Sequence, residues 1–121
     1  MVLVDTSVWI THLRQGQPDL VGLLEAAAVV CHPFVVGELA CGHLQDRQVF
    51  LTSLQALPAL GTVHQDELLY FIDHHRLMGA GIGLVDMHLL AASRLAGVPL
   101  WTQDKGLQGA AHRLGQAYDP Q

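Results

Sequence analysis

The chain has 121 residues, half of them apolar and 14% charged, with 11 Asp plus Glu against 6 Lys plus Arg for a formal net charge of −5. That length fits one domain over residues 1–121, and the composition is too apolar and too weakly charged for a disordered segment. Charge well below the usual level of about a quarter predicts that some apolar surface serves as an interface, which favours a homodimer over a self-sufficient monomer.

The opening MVLVDTSVWI has no basic leader and carries Asp5 where a signal peptide would be apolar, so a soluble, cytoplasmic protein is expected. The longest uncharged stretch, Gln48 to Gln65, is interrupted by Pro58 and Gly61 and argues against a membrane span. Cys31 and Cys41 are too few for a disulfide framework and are expected as reduced, buried thiols.

In chain order, Val2 to Val4 form a short apolar strand before a turn at Asp5-Thr6-Ser7, and Val8 to Arg14 predict a helix. Pro18-Asp19 starts a second helix through about Ala27, with Leu20, Leu23 and Leu24 at helical spacing. Val29-Val30-Cys31 reads as a strand stopped by His32-Pro33, and Pro33 opens a helix carrying Phe34, Val35, Glu38 and Leu39. A further helix is expected over Asp46 to Leu54, then a loop or short strand ending near Val63, then a helix from Gln65 to Leu77 whose first turn holds Asp66 and Glu67. Gly79, Gly81 and Gly83 predict a flexible loop, Asp86 to Ala96 a helix stopped by Gly97, Val98 to Thr102 a buried strand, and Lys105 to Leu114 the last helix. Strands alternating with helices imply an α/β fold with a parallel sheet covered on both faces.

On that map Asp5 and Asp104 lie just past strand ends, Glu38 on the helix after a strand, and Asp86 at the start of a helix. Ligands of open parallel sheets bind outside the carboxyl ends of the strands, so these chain-distant residues can share one pocket. Four clustered carboxylates repel one another, and the usual compensation is a hard divalent cation with oxygen ligands. Set those four aside and the 11 acidic residues fall to 7, against 6 basic ones. Asp5 and Glu38 have apolar sequence neighbours, where an unpaired charge is costly. Asp46, Asp66, Glu67 and Asp73 lack that setting and read as surface residues.

The segments Val2-Leu3-Val4-Asp5-Thr6-Ser7-Val8-Trp9-Ile10, Val36-Gly37-Glu38-Leu39-Ala40, Gly81-Ile82-Gly83-Leu84-Val85-Asp86 and Leu100-Trp101-Thr102-Gln103-Asp104 occur in that order across nearly the whole chain. Together they resemble the PIN-domain ribonucleases, most closely the VapC-type toxins of type II toxin–antitoxin pairs. The resemblance implies a three-layer α/β/α sandwich with a central parallel sheet, and a magnesium- or manganese-dependent endoribonuclease silenced by an antitoxin protein. It further implies that Asp5, Glu38, Asp86 and Asp104 are the catalytic, metal-holding quartet, and that Thr6, Ser7 and Thr102 are hydroxyl residues shaping it. Lys105-Gly106-Leu107 departs from the aromatic or acidic residues the family often carries after the fourth position.

The chemistry suits the residues independently of the name, because hydrolysing a phosphodiester needs an activated water and charge neutralisation that a metal supplies. With a net negative chain, attraction for RNA must come from the ion and from some of Arg14, Arg47, Arg76, Arg94, Lys105 and Arg113. Three other readings compete. Asp5, Thr102 and Lys105 match the ingredients of a phospho-aspartate enzyme or receiver-like magnesium domain, which leaves Glu38 and Asp86 unexplained. A non-catalytic PIN module would only bind a partner, and Asp86 and Asp104 could each be simple helix caps. Cys31, His32, Cys41 and His43 do not follow structural-zinc spacing, the adjacent His74 and His75 read as a solvated pair, and Trp9 and Trp101 read as packing residues.

Overall fold

The computed structural model describes residues 1–120; Gln121, the last residue of the expected domain, lies outside them. Three strands, β1 (Val2–Val4), β2 (Val29–Val30) and β3 (Leu100–Trp101), form one parallel sheet in the order β2-β1-β3. Val2 and Leu3 face Val29 and Val30 on one side, while Leu3 and Val4 face Leu100 and Trp101 on the other. Every strand residue is buried, as parallel strands covered on both faces require. Isolated parallel bridges, Cys31 to Ala59 and Leu100 to Ala117, extend the pairing beyond the named strands.

The helices are α1 (Thr6–Gln15), α2 (Pro18–Glu25), α3 (Pro33–Ala40), α4 (Arg47–Gln55), α5 (Gln65–His74), α6 (Leu84–Ala96) and α7 (Lys105–Arg113). Their starts follow local chemistry. Pro18 and Pro33 occupy first helical positions, where a missing N–H costs nothing, and Glu67 Oε1 accepts from the His64 N–H at the head of α5 (3.2 Å). Gly97 ends α6 in the left-handed region at φ +68. The α/β sandwich about a parallel sheet is the architecture expected from the alternation.

Several ends differ from expectation. Helix α5 stops at His74 rather than Leu77, because Arg76 turns into the left-handed region at φ +53 and sends Leu77 back into the core, fully buried. Helix α2 likewise ends at Glu25, with Ala27 at φ +53. The strand expected over Val98–Thr102 shortens to Leu100–Trp101: the Val98 N–H is taken by Ser93 O at the end of α6, and Pro99 has no N–H to give. Around Ala59 only a bridge forms.

Leu3, Val4, Val8, Leu20, Leu89, Leu90, Leu100 and Leu107 belong to one buried cluster joining sheet and helices. Each such side chain contributes roughly 1.5–3 kcal/mol by leaving water. Trp9 and Trp101 are buried, as expected; Trp9 sets its edge against Phe50, with centroids 6.1 Å apart. The thiol expectation holds for Cys31 but not for Cys41, which follows the last turn of α3 and is exposed. Asp46, Asp66, Glu67 and Asp73 are exposed, as expected. Among the described residues no helix is long and apolar enough to cross a membrane.

Candidate active site

Asp5 is the first residue past β1 and the N-cap of α1, which places a carboxylate at the carboxyl edge of the central strand. Its side chain is nearly enclosed, at 5% exposure. Ser7 Oγ and Thr102 Oγ1 each donate to Asp5 Oδ2 at 2.7 Å, and the Ser7 N–H adds a longer bond at 3.4 Å. Among the described residues every side-chain hydrogen bond to this carboxylate falls on Oδ2, which leaves Oδ1 for a ligand. Both hydroxyl protons are thereby committed, so the 3.3 Å contact between Ser7 Oγ and Thr102 Oγ1 is not itself a hydrogen bond.

The same two hydroxyls accept from the turn after β3: Gln103 N–H donates to Ser7 Oγ (2.9 Å) and Asp104 N–H to Thr102 Oγ1 (3.0 Å). Donor and acceptor capacity are thus both used, which fixes Asp5 against the start of α7. Thr6 reaches the other way, its Oγ1 donating to Glu38 Oε1 at 2.6 Å across the gap between α1 and α3. The three hydroxyl residues singled out from the sequence therefore all contact quartet carboxylates.

Glu38 is exposed on α3, contrary to the apolar setting expected from its sequence neighbours. Val35 and Leu39 turn into the core and leave Glu38 on the outer face. Asp104 is also exposed and is the N-cap of α7, with Oδ2 accepting from Leu107 N–H at 2.9 Å. Gly106 keeps this turn close to the glycine loop: a Cβ there would stand 3.4 Å from Asp104 Oδ2, Gly81 O and Ile82 Cγ2.

Asp86, in the first turn of α6, registers the other three carboxylates. Burial pushes its carboxyl up to about 6, the charges of Asp5, Asp104 and Glu38 push in the same direction, and a hydrogen bond from the Gly83 backbone opposes them. No cation offsets this charge, since the one ion pair among the described residues joins His112 to Asp119. Nor do any three His, Cys, Asp or Glu side chains there stand close enough to grip an ion as positioned. The four carboxylates are electrostatic neighbours, presenting only oxygen donors and lacking an internal counter-charge. That donor set fits a hard divalent cation such as Mg2+ or Mn2+ and lacks the imidazole and thiolate ligands that select zinc or copper.

Two residues beside the site escaped the sequence reading. His32 is fully buried and caps α3, its Nδ1 accepting from Phe34 N–H at 3.0 Å. His88 is buried on α6, and the Phe34 ring packs against both imidazoles, with centroids 5.1 and 4.7 Å away. Burial, reinforced by His88, drives the His32 imidazole down to about 4, and burial also lowers His88. A His before Pro reads locally as a turn, so only the apolar run after it hinted at enclosure.

Comparison with known proteins agrees with the geometry. The PIN-domain family model matches residues 2–113. Ribonuclease VapC32 of Mycobacterium tuberculosis, from the CDC 1551 / Oshkosh and H37Rv strains alike, is 45% identical over 118 residues, covering 97% of this chain and 95% of the relative. Two solved structures share the fold at lower identity. FitAcB from Neisseria gonorrhoeae has a TM-score of 0.68 at 21% identity, with 93% of this chain and 94% of that one covered. PAE2754 from Pyrobaculum aerophilum has a TM-score of 0.69 at 15% identity, covering 98% and 87%. The order of strands and helices, the carboxylates at the strand ends and this likeness along almost the full length make the chain a member of the PIN-domain family, of the VapC type.

Proposed function

We propose that the protein is a divalent-metal-dependent endoribonuclease and the toxin of a toxin–antitoxin pair. The observation that carries this reading is Asp86, raised first by its burial and then by three carboxylates from three other parts of the chain with no basic partner among them. Asp5, Glu38, Asp86 and Asp104 would hold Mg2+ or Mn2+, and such an ion supplies an acidified water for in-line attack and offsets charge on the phosphate. Ser7 and Thr102 orient Asp5, and Thr6 orients Glu38. Asp86 is the group through which the cluster relieves its repulsion as pH falls toward 6, by taking up a proton.

The VapC relatives support RNA as substrate and an antitoxin as partner. Exposed Val21, Val49 and Leu84 support association into a homodimer. The protein acts as one domain in the cytoplasm, where both RNA and antitoxin are made. A phospho-aspartate reaction is disfavoured, because Lys105 makes no ion pair with Asp5.

Cleavage of RNA by purified protein, with Mg2+ or Mn2+ and with chelator, tests the proposal. Asp5→Asn, Glu38→Gln and Asp86→Asn should each lower metal-dependent cleavage on the order of a hundredfold or more, and Asp104→Asn less, because Asp104 already serves as a cap. Asp46→Asn should cut like wild type. Expression of wild type, but not Asp5→Asn, should arrest bacterial growth. Undiminished cleavage by Asp5→Asn overturns the assignment, and a wild type that binds its antitoxin but never cuts is a binding module.

A further inference from the structure

Three of the chain's six Lys plus Arg residues meet at an edge away from the carboxylates. Arg113 Nη2 donates to the backbone carbonyls of His75 (2.7 Å) and Arg76 (3.4 Å). Arg94 Nη1 donates to Leu114 O and to Gln116 Oε1, each at 3.3 Å. Arg76 is exposed just past the end of α5. The His75 imidazole, lowered first by burial, also feels the charges of Arg94, His74 and Arg113, so both guanidiniums flank one ring. None of the three arginines forms an ion pair among the described residues. In a chain of net charge −5, this is a concentration of positive charge with no internal partner.

A groove of about 580 Å³ opens beside that cluster, between α5 and α6, with Val63, Tyr70, Phe71, Ala91 and Leu95 along it. Helix α5 contributes Asp66 and Glu67 from its first turn and His74 and His75 from its end, and Arg94 enters from α6. The aromatic rings of α5 form a ladder. Tyr70 and His74 have centroids 5.3 Å apart, Phe71 and His75 4.8 Å, and His74 and His75 4.8 Å. Tyr70 is 58% exposed, so its side chain is accessible to a ligand.

Flat aromatic faces interleaved with fixed guanidiniums are what a single nucleic-acid strand binds: bases stack and phosphates pair with cations. We infer that this edge is a second RNA-binding site, with Arg76, Arg94 and Arg113 holding phosphates and Tyr70 and His74 stacking bases of a single-stranded stretch that flanks the cut. The inference rests on the RNA-cleaving reading of the carboxylate site. Arg94 lies eight residues beyond Asp86 on α6, and Arg113 nine beyond Asp104 at the end of α7. The cluster is therefore about 12–14 Å along the helix axes from those carboxylates, a few nucleotides of extended strand. Asp66 and Glu67 fit the same ligand as acceptors from base amino groups or ribose hydroxyls.

The test is anisotropy of labelled, random-sequence single-stranded RNA of about a dozen nucleotides, titrated in chelator at several salt concentrations so that binding is read without cleavage. Tyr70→Ser should weaken binding about tenfold. Arg76→Gln should lower the slope of log affinity against log salt by about 0.7, the value for one phosphate on a single strand, and Arg76→Lys should restore it. Both positions are exposed, and circular dichroism verifies folding. Cleavage by wild type together with unchanged binding and slope in the variants overturns this site and leaves the carboxylate site standing. Binding through this edge without metal-dependent cleavage does the reverse. Absence of RNA binding by wild type overturns the inference, as do variants that alter oligomer mass by light scattering without altering RNA affinity, which would assign the edge to a second copy of the chain.

Discussion

Helix α3 with its cap His32, and the start of α6, each bring an acidic residue and a histidine to neighbouring regions, and the regions handle charge in opposite ways. At the strand ends, Glu38 and Asp86 join Asp5 and Asp104 in a like-charged group whose repulsion adds to burial in raising Asp86 to about 6. On the same two helix starts, His32 and His88 pack on Phe34 and are held neutral by burial. Charge accumulates only where the surface is open to a ligand that can neutralise it; where solvent and ligand are both shut out, the chain keeps the uncharged form. The neutral cluster caps α3 and, through Phe34 on His88, packs its start against α6.

The strongest way to break this contrast is to empty the neutral side. His32→Ala removes a fully buried ring and the cap of α3, and should cost about 3 kcal/mol in urea unfolding. His32→Asn, which keeps a capping acceptor, should recover part of that loss. An Ala variant as stable as wild type would show that the imidazole does not hold α3 in place. Next in size is Thr102→Val, which keeps the shape but takes a donor from Asp5 Oδ2 and an acceptor from Asp104 N–H. It should lose about 2 kcal/mol and reduce cleavage more than that loss of folded protein explains.

The smallest effect is the most diagnostic. Between pH 3.8 and about 6, folded Asp86 holds a proton that the unfolded chain has released, so its contribution weakens folding as pH rises. Between about pH 4 and 6.5, unfolded His32 binds a proton that the folded protein excludes, so its contribution strengthens folding as pH rises. Histidines 75 and 88, also lowered by burial, act in the same direction as His32. In chelator these slopes oppose one another over their shared range. Asp86→Asn should expose the histidine slope and, near neutral pH, raise stability by about 1 kcal/mol after discounting for the solvent around this half-buried group. Millimolar Mg2+ or Mn2+ should then raise the melting temperature of wild type more than that of the variant. A less stable Asp86→Asn with no metal response in either protein would mean that Asp86 serves its helix dipole alone.

Much of this was legible because the relevant signals are local. Val2 to Val4 before Asp5, Pro33 at a helix start and Gly97 at a helix stop need no tertiary knowledge, and they place Asp5, Glu38 and Asp86 on the right elements. What was not legible depends on rotation about a helix axis or on distant partners. Glu38 has apolar neighbours in sequence yet faces outward, because Val35 and Leu39 take the inner face of α3. Cys41 is exposed because α3 ends before it. His32 reads as a turn residue until Phe34 and His88 close over it. The left-handed turn at Arg76 has no glycine or asparagine to announce it, so α5 looked three residues longer than it is.

Asp5 draws its two hydroxyl partners from very different distances along the chain: Ser7 is two residues away and Thr102 ninety-seven. Its strand is likewise flanked by β2, which comes early, and β3, which comes late. Synthesis from the amino end therefore delivers Asp5, Glu38 and Asp86 well before the segment that braces the first of them and supplies Asp104. A partly made chain still emerging from the ribosome can pair β1 with β2, but it has nothing to pin Asp5 Oδ2 from the far side. For an enzyme of the proposed activity, made on an assembly that is itself largely RNA, the order of synthesis postpones a complete active site until β3 and the head of α7 have been made.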